Sequence, residues 1–124
     1  MGRIVLHEFS ADYTPDEGEI DLRRLQRAVA ELIEKGADAI QRQGHDLDDV
    51  IFDRFATMRY AGESAALTVP IEFVTNVGRL LAPFHAAARK RFARPDPNAR
   101  VEIIGLKVEV VADPDCPVGG SKWR

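Results

Sequence analysis

The sequence predicts a single small α+β domain in which an antiparallel sheet carries two helices. Three observations predict it. Leu22, Leu25, Val29, Leu32, Ile33 and Ile40 recur at spacings of three, four and seven, which places them on one face of a helix. Two alternating runs are separated by AGES at 61–64, a hairpin pattern. VEIIGLKVEVV, from Val101 to Val111, is a run rich in β-branched residues. With a first strand and a second helix in place, the order is strand, helix, strand, strand, helix, strand. That order is compatible with a split βαβ, ferredoxin-like two-layer sandwich, and other α+β layouts read the same way.

Taken in order, RIVLHEF from Arg3 to Phe9 reads as the first strand, and SADYTPDEGE after it as a turn-rich linker. Thr14-Pro15-Asp16-Glu17 has capping-box spacing with Pro at the first helical position. Asp21 competes with it as the N-cap, and Gly44 is the expected stop of the first helix. On another face of that helix Arg27, Glu31 and Lys35 fall four apart, where they can pair and stay wet.

In the hairpin, Phe52, Ala56, Met58 and Tyr60 alternate with Asp53, Phe55, Thr57 and Arg59, and Leu67, Val69 and Ile71 alternate with Ala66, Thr68 and Pro70. Pro70 cannot donate to a ladder, so its strand is an edge or ends there. The second helix is expected from Phe73 to Phe92, with Val77, Leu80, Leu81, Phe84 and Ala88 as its apolar stripe. Pro83 inside it predicts a kink or two shorter helices. Gly105 marks a bulge in the last strand. The domain is read as residues 1–111, and 112–124 as an irregular tail.

Composition bounds the function. The chain has 124 residues, 45% hydrophobic and 30% charged, as in a globular domain with one core. A formal net charge of −3 supplies no overall basic field, so neither nucleic acid nor an anionic membrane is the expected partner. Cys116 is the one cysteine, which excludes an internal disulfide and a cysteine-rich zinc site. No apolar run approaches the roughly 18 residues of a membrane span. A cytoplasmic location is the expectation.

The residues alone assign no catalytic, cofactor-binding or metal-binding position. His7, His45 and His85 lack metal-site spacing, and HDLDD, His45 to Asp49, reads better as a solvated loop after the first helix than as a ligand set. Neither a Walker pattern nor GxGxxG occurs. Nothing activates Cys116 beside Pro117, and Glu63 is a lone carboxylate in a turn. The basic cluster ARKRFAR, Ala88 to Arg94, complements a helix C-terminus.

Met58-Arg59-Tyr60-Ala61-Gly62-Glu63 resembles the D-M-R-Y-x-G-Q segment near the carboxyl end of hydantoinase A-type proteins. That superfamily includes ATP-dependent N-methylhydantoinases, 5-oxoprolinases, and the acetone and acetophenone carboxylases. ALTVPI, Ala66 to Ile71, is similar to the family's L-x-V-P strand. FHAAARKRFARPDPNARVEIIGLKV, Phe84 to Val108, is similar to its F-x-x-x-H-x-x-x-Y-G … P … E-x-V-N-x-R-V. The similarity spans roughly residues 18–110. Arg59, Tyr60, Gly62, Pro70, Phe84 and Glu102 match the pattern. The family's Asp is Thr57 here, its Gln is Glu63, its His is Ala88, its Gly is Ala93, and its Asn and Arg are Gly105 and Lys107.

In the family this region ends a long chain. The resemblance therefore implies a detached carboxyl-terminal domain acting as a small, non-catalytic subunit of an ATP-dependent ketone carboxylase, similar to the acetophenone carboxylase beta subunit. It implies large hydantoinase A-like and hydantoinase B-like partners that hold ATP and a divalent metal, with no cofactor in this chain. Such a complex phosphorylates an enolate or bicarbonate and joins carbon dioxide to a ketone. A hydantoinase or oxoprolinase complex, a free-standing homodimeric binding module, and a small enzyme using Glu63, His85 or Cys116 are the alternatives. The interface candidates are Arg59, Tyr60, Gly62, Glu63, His85 and Trp123: Arg59 can fork to a carboxylate, and Tyr60 pairs an apolar ring with a polar tip. An Arg–acid pair within the domain, with Tyr60 in the core, explains the same residues.

Overall fold

The computed structural model describes residues 4–72, 76–92 and 99–113. The first strand, β1 (Val5–Asp12), leads through a linker to α1 (Leu22–Arg42). A one-turn 3-10 helix, Leu47–Asp49, opens β2 (Val50–Tyr60), which turns into the short β3 (Leu67–Pro70). α2 (Val77–Arg91) then crosses to β4 (Val101–Ala112). The result is the α+β class expected: two helices and a four-stranded antiparallel sheet ordered β1-β4-β2-β3. With every neighbour antiparallel, β1 and β2 run parallel with β4 between them, and β3 and β4 run parallel with β2 between them. Two split βαβ units are thus interleaved, but β4 and β2 are the central strands and β1 and β3 the edges, the reverse of the ferredoxin-like order that the element sequence also allowed.

Local chemistry explains the element ends. Asp21, not Thr14, caps α1, its carboxylate accepting the N–H groups of Arg23 and Arg24. Asp16 instead accepts from the Asp21 N–H and from Arg24, so the apparent capping box ties the linker down without starting a helix. Leu25, Val29, Leu32, Gly36 and Ile40 form the buried stripe of α1. Gly44, at φ 88°, takes the left-handed turn that ends it. Asn76 caps α2 through the Arg79 N–H. That helix runs unbroken across Pro83, so the two shorter helices allowed for by the sequence do not form. Proline removes one N–H donor, and the buried Leu80, Phe84 and Ala88 on either side hold both halves to the sheet. Val77, counted in the stripe from sequence, is 37% exposed.

Both helices pack on one face of the sheet. Leu25, Val29 and Leu32 of α1 and Leu80, Phe84 and Ala88 of α2 join a core with Ala56, Met58, Tyr60, Val69, Ile103, Leu106 and Val108. β3 is an edge strand that ends at Pro70, as proline requires. The bulge expected at Gly105 is present: Thr57 pairs with Gly105 while Met58 pairs with Ile103, leaving Ile104 as the extra residue. HDLDD forms the short helix before β2, with Asp46 capping it through the Asp48 N–H. Among the described residues, no helix is long and apolar enough to cross a membrane.

Candidate functional site

The hairpin turn and the strand beside it bring most of the sequence candidates to one end of the sheet. Gly62, at φ 86°, occupies a backbone conformation that side chains resist, and Glu63 closes the turn by donating its N–H to the Tyr60 carbonyl at 3.0 Å. Both residues are exposed. The Ala61 N–H reaches the Arg100 carbonyl at 2.8 Å, which fastens the turn to the start of β4.

Arg59 and Tyr60, adjacent in sequence, point to opposite faces because a strand alternates. Arg59 Nε donates to Glu102 Oε1 at 3.0 Å, and Arg100 Nη2 donates to Glu102 Oε2 at 3.3 Å. Arg100 Nη1 also holds the Glu17 carbonyl at 3.0 Å. Glu102 is thus held between two guanidinium groups. Tyr60 is buried, with its hydroxyl 2.9 Å from His85 Nδ1 and its ring edge-on to Phe84 at 4.9 Å. Arg59 and Tyr60 are engaged inside the domain, the arrangement held open from sequence as an Arg–acid pair with a core tyrosine. Trp123 lies outside the described residues, as do Cys116 and Ala93.

A second cluster, not singled out from sequence, forms where the linker meets α1. Arg24 lies over the Tyr13 ring at 4.2 Å and bonds Asp16 at 2.8 Å. Burial pushes the Tyr13 phenol up from its ordinary value; the Arg24 cation opposes that rise, and Asp16 and Asp21 add to it. The hydrogen bond to Asp16 raises Arg24 in turn. The Tyr13 hydroxyl is buried and makes no hydrogen bond among the described residues. Among those residues no three His, Cys, Asp or Glu side chains gather as a metal site.

The sheet face opposite the helices is polar and apolar by rows. Val5, Val111 and Ile51 are cross-strand neighbours, and so are Glu8, Glu109 and Asp53. Lys107 stands beside the carboxylates, 3.1 Å from Glu109 and 3.9 Å from Glu8, with its ammonium 4.7 Å from the centre of the Phe55 ring. At the bulge, Ser10, Ala11, Asp12, Thr57, Ile104 and Gly105 line a shallow groove of about 420 Å³. Thr57 Oγ1 and Thr68 Oγ1 are hydrogen-bonded at 2.8 Å. Three of the motif departures, Thr57, Gly105 and Lys107, fall on this face. Ala88 is buried in the core and Glu63 sits in the turn. The carboxylate row was missed from sequence because its members come from three strands.

No protein-family model and no curated protein matches the sequence. Several solved structures share the fold, among them two ATP-dependent enzymes. The nucleotide-free structure of acetone carboxylase, from work on ATP-dependent acetone carboxylation, matches 86% of this chain with a TM-score of 0.73 at 15% identity. The ATP-dependent caprolactamase from Pseudomonas jessenii matches 89% with a TM-score of 0.72 at 23% identity. This chain spans 17% of the length of each of those chains.

Proposed function

Because its fold recurs as a small part of larger ATP-dependent enzymes, we propose that this chain is a non-catalytic component of such an enzyme, a small subunit that docks on a larger nucleotide-binding chain. The observation that carries the reading is one of proportion: nearly all of this chain matches 17% of an acetone carboxylase chain and 17% of a caprolactamase chain. The resemblance of Met58 to Glu63, Ala66 to Ile71 and Phe84 to Val108 to hydantoinase A-type motifs points to the same superfamily independently of fold.

In this reading the large hydantoinase A-like and hydantoinase B-like chains bind ATP and its metal and carry out the bond-making steps. The reaction class we favour is carboxylation of a ketone, as the acetone carboxylase neighbour performs. Opening of a cyclic amide is the second reading, favoured by the higher identity to the caprolactamase. The role of this chain is to present a preformed surface. Its motif groups support that role, because Arg59 and Arg100 both bond Glu102 within the chain and Tyr60 is bonded to His85.

The test is capture of the tagged chain from its native cells, with the recovered chains identified by mass and assayed for ATP turnover with acetone, acetophenone and caprolactam. Recovery of large ATP-hydrolysing chains in fixed ratio is the expected result. A lone monomer or homodimer, with no ATP-dependent chain attached, overturns it.

A further inference from the structure

We infer that the groove at the β4 bulge receives a lysine or arginine side chain of the larger chain, on a segment whose backbone comes close to Gly105. This rests on the subunit reading above and names the contact within it. Gly105 is a glycine that the fold itself does not require. Inside a strand, glycine has nothing to pack and loses more entropy on folding than alanine, so it needs a reason. Elsewhere the reasons are plain: Gly44 and Gly62 have positive φ, and a Cβ at Gly36 would meet Val110 Cγ2 at 3.0 Å. Gly105 has neither. Its φ is not positive, and a Cβ added to it would stand 3.6 Å from the Ala11 carbonyl oxygen and 3.7 Å from Thr57 Cβ, ordinary contact distances. Nor does the bulge demand it, since the kind of bulge that selects glycine holds it at positive φ. The reason left is close approach from outside the chain.

The missing side chain leaves space between two polar groups. Thr57, Gly105 and Asp12 are cross-strand neighbours on β2, β4 and β1, so a hydroxyl and a carboxylate flank the gap. The groove there measures about 420 Å³. Thr57 is already bonded to Thr68, whereas Asp12 makes no side-chain hydrogen bond or ion pair among the described residues. The cations in the rows on either side are committed, Lys107 to Glu109 and Arg59 to Glu102. A carboxylate that its own chain leaves unpaired, at the rim of a groove, selects a cation from the partner. The groove is too open to enclose a small molecule, which favours a protein segment that brings its own walls. The larger chain is the source, because in both solved neighbours the matching region is embedded in a chain of which it forms 17%.

Gly105→Ala is measured first, by thermal unfolding of the isolated chain. A melting temperature equal to or above that of the unaltered chain is expected, because alanine fits and restricts the unfolded chain. A lower one shows that the fold needs the glycine and overturns the inference. Gly105→Val fills the groove, Asp12→Asn removes its charge, and Glu63→Lys in the hairpin turn is the control. Each is expressed tagged in the native cells, checked for folding by circular dichroism, and scored for recovery of the large ATP-hydrolysing chain. The expected result is loss on the order of tenfold or more with Gly105→Val and Asp12→Asn, against retention with Glu63→Lys. Retention with either groove variant overturns the inference while the subunit reading stands. Failure of the unaltered chain to recover a large chain removes both.

A second measurement does not depend on mutation. Asp12, which is exposed, is labelled at its carboxylate with a carbodiimide and an amine in the isolated chain and in the complex. Protection only in the complex is expected. Equal labelling in both, or protection already in the isolated chain, shows that the larger chain does not pair with Asp12 and overturns the inference.

Discussion

The two faces of the sheet are built from the same strands and could hardly differ more. Toward the helices, β2 and β4 present Ala56, Met58, Tyr60, Val101, Ile103, Leu106 and Val108, all buried. Away from them, the alternate positions carry Ile51, Asp53, Phe55, Thr57 and Arg59, and Glu102, Lys107 and Glu109. A strand's period of two lets one sequence serve two surfaces: the helix side is closed along both strands, while the other side mixes open positions such as Ile51 with the buried Glu109 and Val111. The cost of a substitution should therefore depend on the face it falls on.

The largest effect expected is on the covered side. Phe84→Ala empties the space beneath Tyr60 and should destabilise by about 3–5 kcal/mol in denaturant titration. A result near zero would mean that α2 does not hold the sheet. Gly36→Val is next. A Cβ added at Gly36 would stand 3.0 Å from Val110 Cγ2 and 3.2 Å from the Phe52 ring, so the larger side chain should cost about 1–3 kcal/mol.

Tyr13 gives a pH signature. Its phenol is raised in the fold, so the folded state keeps a proton that the unfolded state releases above the ordinary value of 10.0. The stability this group contributes is complete below that pH and is lost as pH rises through the folded value. Tyr13→Phe should remove that alkaline loss and the late tyrosine step in ultraviolet absorbance titration; an unchanged titration would rule it out. Arg59→Ala should cost no more than about 1 kcal/mol, because its pair with Glu102 is partly exposed. Smallest of all, Ile51→Asp should change the stability of the chain by about 0.5 kcal/mol or less, because Ile51 is 41% exposed. A large loss of stability there would erase the distinction between the faces.

Much of this architecture was legible because it is local. The stripe of α1, the alternation in β2, the edge at Pro70 and the bulge at Gly105 are each written in consecutive residues. The capping of α1 was legible only as a choice between Thr14 and Asp21, settled by Asp16 being engaged with Arg24. What was not legible is pairing. Nothing near Val5 in sequence says that it lies opposite Val111, so the carboxylate row and the Glu102 partner of Arg59 had no signal. The motif residues stood out individually, while the contacts that occupy them come from β4.

The position of β4 in the sheet also governs how the molecule comes together in time. Its partners are β1 and β2, so it is a central strand that is the last strand in sequence among the described residues. Before it arrives, α1 and the β2–β3 hairpin can form from neighbouring residues, but β1 lacks the strand it pairs with. Closing that pairing brings together residues from far apart in the chain, the kind of contact that slows folding. A ribosome-bound chain lacking Val101–Ala112 therefore carries two strands with unmatched edges, and that interval is when it most needs shelter from aggregation.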